Sequence, residues 1–463
     1  MAKPMTSFKA GNIQAEELLG LNPGLVAQVT TSLSKERRFE ARIQVEPLRA
    51  PECADLLQLL RPELRCRLVE YMRPDFDPKI LPELKEDIRD EIAEQLGTKS
   101  LTNAIRRLEL DDALEFFETL DEQKQSIIFE NVPPKLRHFV KEGLNFPKDS
   151  AGRLMERNFV AVPEFWTIGQ IINFLREDKD LPNDFYDIFV VDPRQRPLGT
   201  VALSQVLRSK SSVIVKDVMI SDLVTVPAMM DQEEVAYLFS QRNLVSAPVI
   251  DNANRLIGTI TVDDVLDVIQ EEAEEDIMHL GGVSSDDFYS AALETGRSRF
   301  SWLFVNLLTA IIASIVIGLF EGTIEKVVML AVLMPIVASM GGNAGTQTMT
   351  VAVRALATKE LTKSNAMRVL GKEALVGIYN GVLFASLIGC VAWYWGDSWR
   401  IGVVMAIAMI VTLVFAAFSG MAIPLVLSRT GIDPAIASSV LLTTITDVVA
   451  FSVFLGLAAL LLL

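Results

Sequence analysis

Five long apolar runs fill the last third of the chain and decide what it can fold into. Residues 300–320 are 21 positions without a charge, 327–353 are 27, 374–396 are 23 and 401–428 are 28. Residues 434–463 are 30 positions with a single charge, Asp447. A bilayer core takes roughly 20 apolar residues per helix. Each run therefore predicts a membrane helix, at about 300–320, 326–354, 372–396, 400–428 and 434–463, within a transmembrane domain at 297–463.

Charge is segregated the same way. The 463 residues carry 43 Lys/Arg and 59 Asp/Glu, a net charge of −16. Ten of those bases and seven of those acids fall in 297–463, which leaves 33 bases and 52 acids in 1–296. An acidic half precedes a nearly uncharged one. The acidic balance disfavours nucleic acid as a partner, because phosphate affinity needs Lys/Arg patches. Three scattered cysteines and two histidines are too few for a thiolate or imidazole metal site. The start, Met1-Ala2-Lys3-Pro4, has no apolar signal region. Arg297 and Arg299 precede the first run, and Arg354, Lys359, Lys363, Arg368 and Lys372 follow the second. By the positive-inside rule the N-terminus is cytoplasmic and the C-terminus outside, in a cell inner membrane.

Asp447 lies near the middle of the fifth run, and no Lys or Arg lies in any run to pair with it. A carboxylate there costs about 2.5–3.5 kcal/mol on insertion scales and normally faces a water-filled path or a partner. Thr443, Thr444 and Thr446 surround it with hydroxyls. The second run is interrupted in composition: Pro335 removes a backbone donor, and Gly341, Gly342 and Gly345 allow either close helix approach or an unwound turn. Asn343, Thr346 and Gln347 add oxygen-bearing side chains at membrane depth. Oxygen ligands favour a hard cation. Magnesium keeps its waters and takes one or two carboxylates. One Asp447 per subunit on a two-fold axis supplies two, so the pattern predicts a homodimeric pore for a hydrated divalent cation. No carbonyl-filter signature and no GxxxxGK[ST] phosphate loop is present. An inside-negative potential supplies about 4.6 kcal/mol per 100 mV for a divalent ion.

The acidic half contains an internal repeat. Val190-Val191-Asp192 recurs as Val249-Ile250-Asp251, and Leu198-Gly199-Thr200-Val201 as Ile257-Gly258-Thr259-Ile260, both at offset 59. Upstream pairs recur at offset 64, which predicts five extra residues around 177–184 in the first copy. Each unit reads strand, helix, strand, turn, strand, helix. This resembles a tandem pair of α/β CBS domains, here 151–210 and 211–272. The resemblance implies adenine nucleotide (ATP) binding through a Thr/Ser-x-x-Asp ribose contact. The second unit has that pattern as Thr261 and Asp264; the first, at Ala202–Gln205, lacks the acid.

Residues 17–150 have helical periodicity. Leu60, Leu84 and Leu108 recur at spacing 24, which predicts short helices stacked as a small superhelix after a polar segment at 1–16. Between repeat and membrane, residues 262–296 carry an acidic helix. Asp264, Asp267, Glu271, Glu274 and Glu275 fall on one of its faces. Like charges at such spacing repel by a few tenths of a kcal/mol per pair, and a divalent cation relieves that repulsion.

Together these features resemble the MgtE family of bacterial magnesium channels. The matching motifs are Gly341-Gly342-Asn343-Ala344-Gly345-Thr346-Gln347, Thr446-Asp447-Val448, and Glu274-Glu275-Asp276-Ile277-Met278-His279-Leu280-Gly281-Gly282. The resemblance implies a multidomain membrane protein: an all-α superhelical N domain, tandem CBS domains, a connecting plug helix and a five-helix α transmembrane domain. It implies a homodimer that passes Mg2+ inward and that Mg2+ itself closes, with no enzyme activity. Asp447 is the implied pore ligand, with Thr443, Asn343 and Gln347 lining the path. Asp111, Glu115, Asp263, Glu271, Glu275, Asp286 and Asp287 are the implied sensor acids. Where relatives carry Asn-Pro before the pore Asp, this chain has Ser439-Val440, and it has Ser284 where relatives carry an acid. The sequence also leaves open a cation-coupled secondary transporter and a membrane-anchored nucleotide sensor.

Overall fold

A computed structural model describes residues 21–463 apart from 109, 121, 179–180, 183–184 and 284–291. It separates into two compact units, up to Gln270 and from Glu271 onward.

The first unit opens with eight helices: α1 (Pro23–Ser34), α2 (Arg38–Val45), α3 (Ala50–Leu59), α4 (Pro62–Met72), α5 (Glu86–Ile105), α6 (Leu110–Thr119), α7 (Glu122–Asn131) and α8 (Pro134–Gly143). Four of them (α1, α3, α4 and α8) begin with Pro in the first turn, where its missing N–H removes no intrahelical bond. Helix α5 kinks at Gly97. The periodic leucines Leu60, Leu84 and Leu108 are all buried and sit beyond helix ends, where they anchor turns to the core.

The repeat follows. A short helix α9 (Ala151–Leu154) leads to β1 (Ala161–Pro163), α10 (Ile168–Glu177), β2 (Asp187–Val191), β3 (Pro197–Ala202) and α11 (Leu203–Arg208). The second copy is β4 (Val226–Pro227), α12 (Gln232–Arg242), β5 (Ser246–Ile250), β6 (Leu256–Thr261) and α13 (Val262–Leu280). Both sheets have the same order and senses, parallel then antiparallel. Both carry a register shift at the same place, Val190/Val191 and Val249/Ile250. Asp192 and Asp251 each turn the hairpin by accepting two backbone N–H bonds, at 2.7–2.8 Å. Ser246 donates to Asp187 across the pair at 2.7 Å, joining positions that are themselves 59 apart.

The cores do not follow the linear division at 210/211. Val213, Val215, Val218 and Met219 pack in the first unit's core, and Ile220 pairs with Thr200. Reciprocally, Ala151 and Met155 pack in the second core, and Glu156 pairs with Thr259. Each unit thus lends its leading segment to the other. The insert predicted at 177–184 lies partly outside the described residues. Arg153–Glu118 (2.6 Å) and Arg157–Glu142 (3.0 Å) tie the repeat to α6 and α8.

The second unit holds α14 (Ala292–Gly318), α15 (Glu321–Lys326), α16 (Met329–Ala357), α17 (Ala366–Gly396), α18 (Trp399–Thr430) and α19 (Pro434–Leu461). Five of these are long and apolar enough to cross a membrane. They outrun the apolar runs: α17 starts six residues before the predicted 372 and takes in Arg368, Lys372 and Glu373. Hydropathy marks where a span meets the interface, whereas the backbone stays helical through charged helix formers. The charged stretch between the first two apolar runs, residues 321–326, is the helix α15. Helix α18 is the central element, packing on α16, α17 and α19, with 56% of its apolar window buried against 6% for α14.

The second span is not unwound. Helix α16 runs unbroken through Pro335 and the glycines. Of the two roles the glycines could have taken, the structure shows close packing: Gly341 faces Thr412 of α18, and Gly345 faces Leu442 of α19.

Candidate functional site

Helices α16 and α19 border an open groove of about 520 Å³. Met334, Pro335, Ala338, Ser339, Gly342, Asn343 and Thr346 come from α16; Thr443, Asp447 and Phe451 come from α19. The spacing on α16 is helical, so one face presents a hydroxyl, an amide and a second hydroxyl on successive turns. Asp447 is half-buried, and the lining has no Lys or Arg. Its polar surface is therefore made of one carboxylate with neutral oxygens and an amide, an arrangement suited to a hydrated hard cation.

The structure sorts the sequence-predicted pore residues. Asp447, Asn343 and Thr443 share the groove; Gln347 is exposed on α16 but is not part of the lining. The three threonines do not form a ring around Asp447. Thr443 and Thr444 donate to the carbonyls of Ser439 and Val440, at 2.9 and 2.7 Å. Thr446 is buried and donates to Leu442 at 2.9 Å. Of the three only Thr443 lines the groove; Thr444 and Thr446 occupy other faces of α19, and all three hydroxyl protons go to the helix backbone.

Helix α13 carries the acids. Thr261 caps it, donating through its hydroxyl to Asp264 at 2.8 Å and through its N–H at 3.3 Å. The Asp264 carboxylate thus secures a helix start, a structural task alongside the predicted ribose contact. Asp263 and Asp267 are exposed on the first turns of α13. Burial, then Asp263, pushes the Asp267 carboxyl above its ordinary value. Burial, then Asp267 and Asp55, does the same to Glu83, in the turn before α5. Sequence reasoning missed Glu83 as an acid that feels this helix, with Asp55 acting on Glu83. Asp111 and Glu115 lie on α6, but their side chains fall outside the described residues, as do Asp286 and Asp287 altogether.

In the second unit the last turns of α13 reach α16 and α19. Glu271 and Glu275 are exposed, with Glu275 3.6 Å from His279 Nε2. His279 Nδ1 lies 3.5 Å from Asp433, just before α19. Burial, then Asp433, raises the Asp276 carboxyl, with Glu275 adding and His279 opposing. Leu280 packs against Met349, Val353, Ala435 and Leu442 of α16 and α19. The helix ends in a left-handed glycine: Val283 N–H bonds Met278 at 3.0 Å, Gly282 N–H bonds His279 at 2.9 Å, and Gly282 has φ +69°. A Cβ on Gly282 would sit 1.8 Å from Trp302 Nε1, so the indole of α14 lies directly on this turn. Among the described residues, no three His, Cys, Asp or Glu converge as a metal-sized cluster.

The fold and the groove define a class, a multi-pass membrane protein with one carboxylate in an oxygen-lined groove between two spans and an acidic module of helices and paired repeat units. Comparison with known proteins agrees. Residues 334–457 match the profile described as divalent cation transporter, 48–149 the MgtE intracellular N domain and 215–271 the CBS domain. The magnesium transporter MgtE of Thermus thermophilus is 35% identical over 358 residues, 76% of this chain and 79% of that one. The magnesium transporter MgtE of Bacillus subtilis is 27% identical over 435 residues, 94% of this chain and 96% of that one. A crystal structure of the cytosolic domain of the Mg2+ channel MgtE in complex with ATP is 27% identical, covering 52% of this chain and 99% of that one, with TM-score 0.49. The chain belongs to the MgtE family of magnesium transporters.

Proposed function

We propose that this chain is a magnesium channel of the inner membrane, working as a homodimer and passing Mg2+ inward down its electrochemical gradient. The observation that carries the reading is the oxygen-lined groove of α16 and α19 with Asp447 as its one charge. Its open side accepts a second copy, and two Asp447 carboxylates then face one hydrated ion. The ion is cargo and keeps its inner waters, so Asn343 and Thr443 act on those waters rather than replacing them. The basic residues in the first turns of α14 (Arg297, Arg299) and from the end of α16 into α17 (Arg354, Lys359, Lys363, Arg368, Lys372) support a cytoplasmic N-terminus.

Gating follows from α13. At low internal Mg2+ its acids and their neighbours Glu83, Asp55, Asp276 and Asp433 repel. Mg2+ bound among such acids draws the elements together. The last turn of α13, seated on α16 and α19 through Leu280, then holds the pore helices closed. Asp263, Glu271 and Glu275 belong to this set, as do Asp111, Glu115, Asp286 and Asp287 by the family resemblance. ATP is assigned to the second CBS unit at Thr261 and Asp264, where it adjusts the same helix start.

Flux tests the reading. Proteoliposomes loaded with a magnesium-sensitive dye, at low internal Mg2+ and with an imposed inside-negative potential, take up Mg2+ with no sodium or proton gradient. A requirement for such a gradient would move the assignment to a coupled transporter. Absence of uptake by inserted protein would remove the transport reading.

A further inference from the structure

The residue behind the pore wall is Thr412, on α18. It is 1% exposed, and its hydroxyl has no hydrogen-bond partner among the described residues. It meets α16 from the rear, where Gly341 also adjoins α19. A Cβ built on Gly341 of α16 would lie 2.6 Å from Thr412 Cγ2 and 3.9 Å from the Cβ of Thr446 on α19. Gly341 directly precedes the groove residues Gly342 and Asn343, and Thr446 directly precedes Asp447. Thr412 and Gly341 are both buried, Thr412 on the most buried of the five spans, so a Cβ at position 341 must displace the Thr412 methyl or move a helix.

We propose that Thr412 is a positioning residue for the ion path: its Cγ2 methyl, seated against the bare Cα of Gly341, fixes how far α16 stands forward and thereby the aperture at Asp447. The inference rests on the channel reading above and adds a specificity device to it. A hydrated divalent ion is large, and a path that keeps its waters discriminates by width. A wall moved forward by a few tenths of an ångström reduces passage of the hydrated ion. A wall allowed to fall back admits larger or differently hydrated ions. The contact is a shape fit between one methyl and one missing Cβ, so the two positions compensate for each other, and a change in ion selectivity separates a device that sets the aperture from a generic packing defect.

The test is a double substitution read by selectivity. Mg2+ and Ca2+ uptake are measured in dye-loaded proteoliposomes for the full chain, Gly341→Ala, Thr412→Ser and the pair, each normalised to inserted dimer. Gly341→Ala should lower Mg2+ uptake at least tenfold. Thr412→Ser removes only Cγ2 and keeps the hydroxyl, so in the pair it should restore Mg2+ uptake to within about threefold of wild type. Thr412→Ser alone should raise the Ca2+/Mg2+ uptake ratio severalfold, and it supplies the readout if Gly341→Ala does not insert. Failure of the pair to recover, or an unchanged ratio in Thr412→Ser, overturns the inference. Wild type that passes no Mg2+ overturns the channel reading instead.

Discussion

Carboxylates are arranged in opposite ways in two regions of this protein. The groove of α16 and α19 holds one acid, Asp447, among neutral oxygens. Helix α13 and its neighbours hold many, and there Glu83, Asp267 and Asp276 are pushed up by burial and then by nearby acids. A path for a moving ion needs attraction weak enough to let go. A sensor needs repulsion that an ion can relieve. The count and spacing of acids separate the two tasks before any ligand is considered.

The comparison breaks most visibly at the lone acid. Asp447→Asn keeps the shape of the groove and removes its charge, so magnesium uptake should fall to the background of empty vesicles. Uptake within about twofold of wild type would mean that the groove is not the path.

A smaller effect is expected where the two halves meet along the chain, at the end of α13. Gly282→Ala forces a side chain into a left-handed backbone, at about 1–2 kcal/mol, and drives a methyl into Trp302. The helix end should loosen from α14. Tryptophan fluorescence and the melting temperature should both fall, and uptake at high internal Mg2+ should rise. A variant as stable as wild type would show that the Trp302 contact is incidental.

Titration should sharpen the contrast most gently. Glu83 and Asp267 have raised values in the folded chain, so their ionised forms weaken the contact that holds them. The folded state binds more protons than the unfolded one in this window, and stability rises as pH falls from neutral towards the raised values. In magnesium-free buffer the melting temperature should therefore increase on mild acidification, and the added stabilisation by Mg2+ should shrink. Glu83→Gln should raise stability at neutral pH by a few tenths of a kcal/mol, the size of one like-charge pair, and flatten the pH dependence. A melting temperature that falls on acidification would contradict the crowded-acid account.

Much of this was readable along the chain, because it is periodic or local. The five spans came from hydropathy, the two sheets from an offset of 59 that reappears in the Asp192 and Asp251 turns, and Asp447 from its solitary charge. The rest depends on contacts between distant segments. Glu83 comes within reach of Asp267 on α13 only after the helical domain folds onto the repeat, and no periodicity encodes that. The exchange of leading segments between the two repeat units is likewise invisible, since the repeat looks the same whether each strand packs at home or across. Pro335 and the glycines suggested a break in α16, but tight packing on α18 and α19 keeps the helix whole. The Gly281-Gly282 pair after the acidic helix was a helix-stop signal that could have placed the turn on which Trp302 lies.

The most direct test of the division of labour is one dose–response experiment. Magnesium uptake under a fixed inside-negative potential is measured while internal Mg2+ is stepped from micromolar to millimolar, for wild type, Asp447→Asn and the pair Glu83→Gln with Asp267→Asn. The account predicts wild-type flux that shuts off as internal Mg2+ rises, no flux at any concentration for Asp447→Asn, and flux that persists to higher internal Mg2+ when the sensor acids are neutralised. Unchanged shut-off in the neutralised pair, together with residual gated flux in Asp447→Asn, would contradict it.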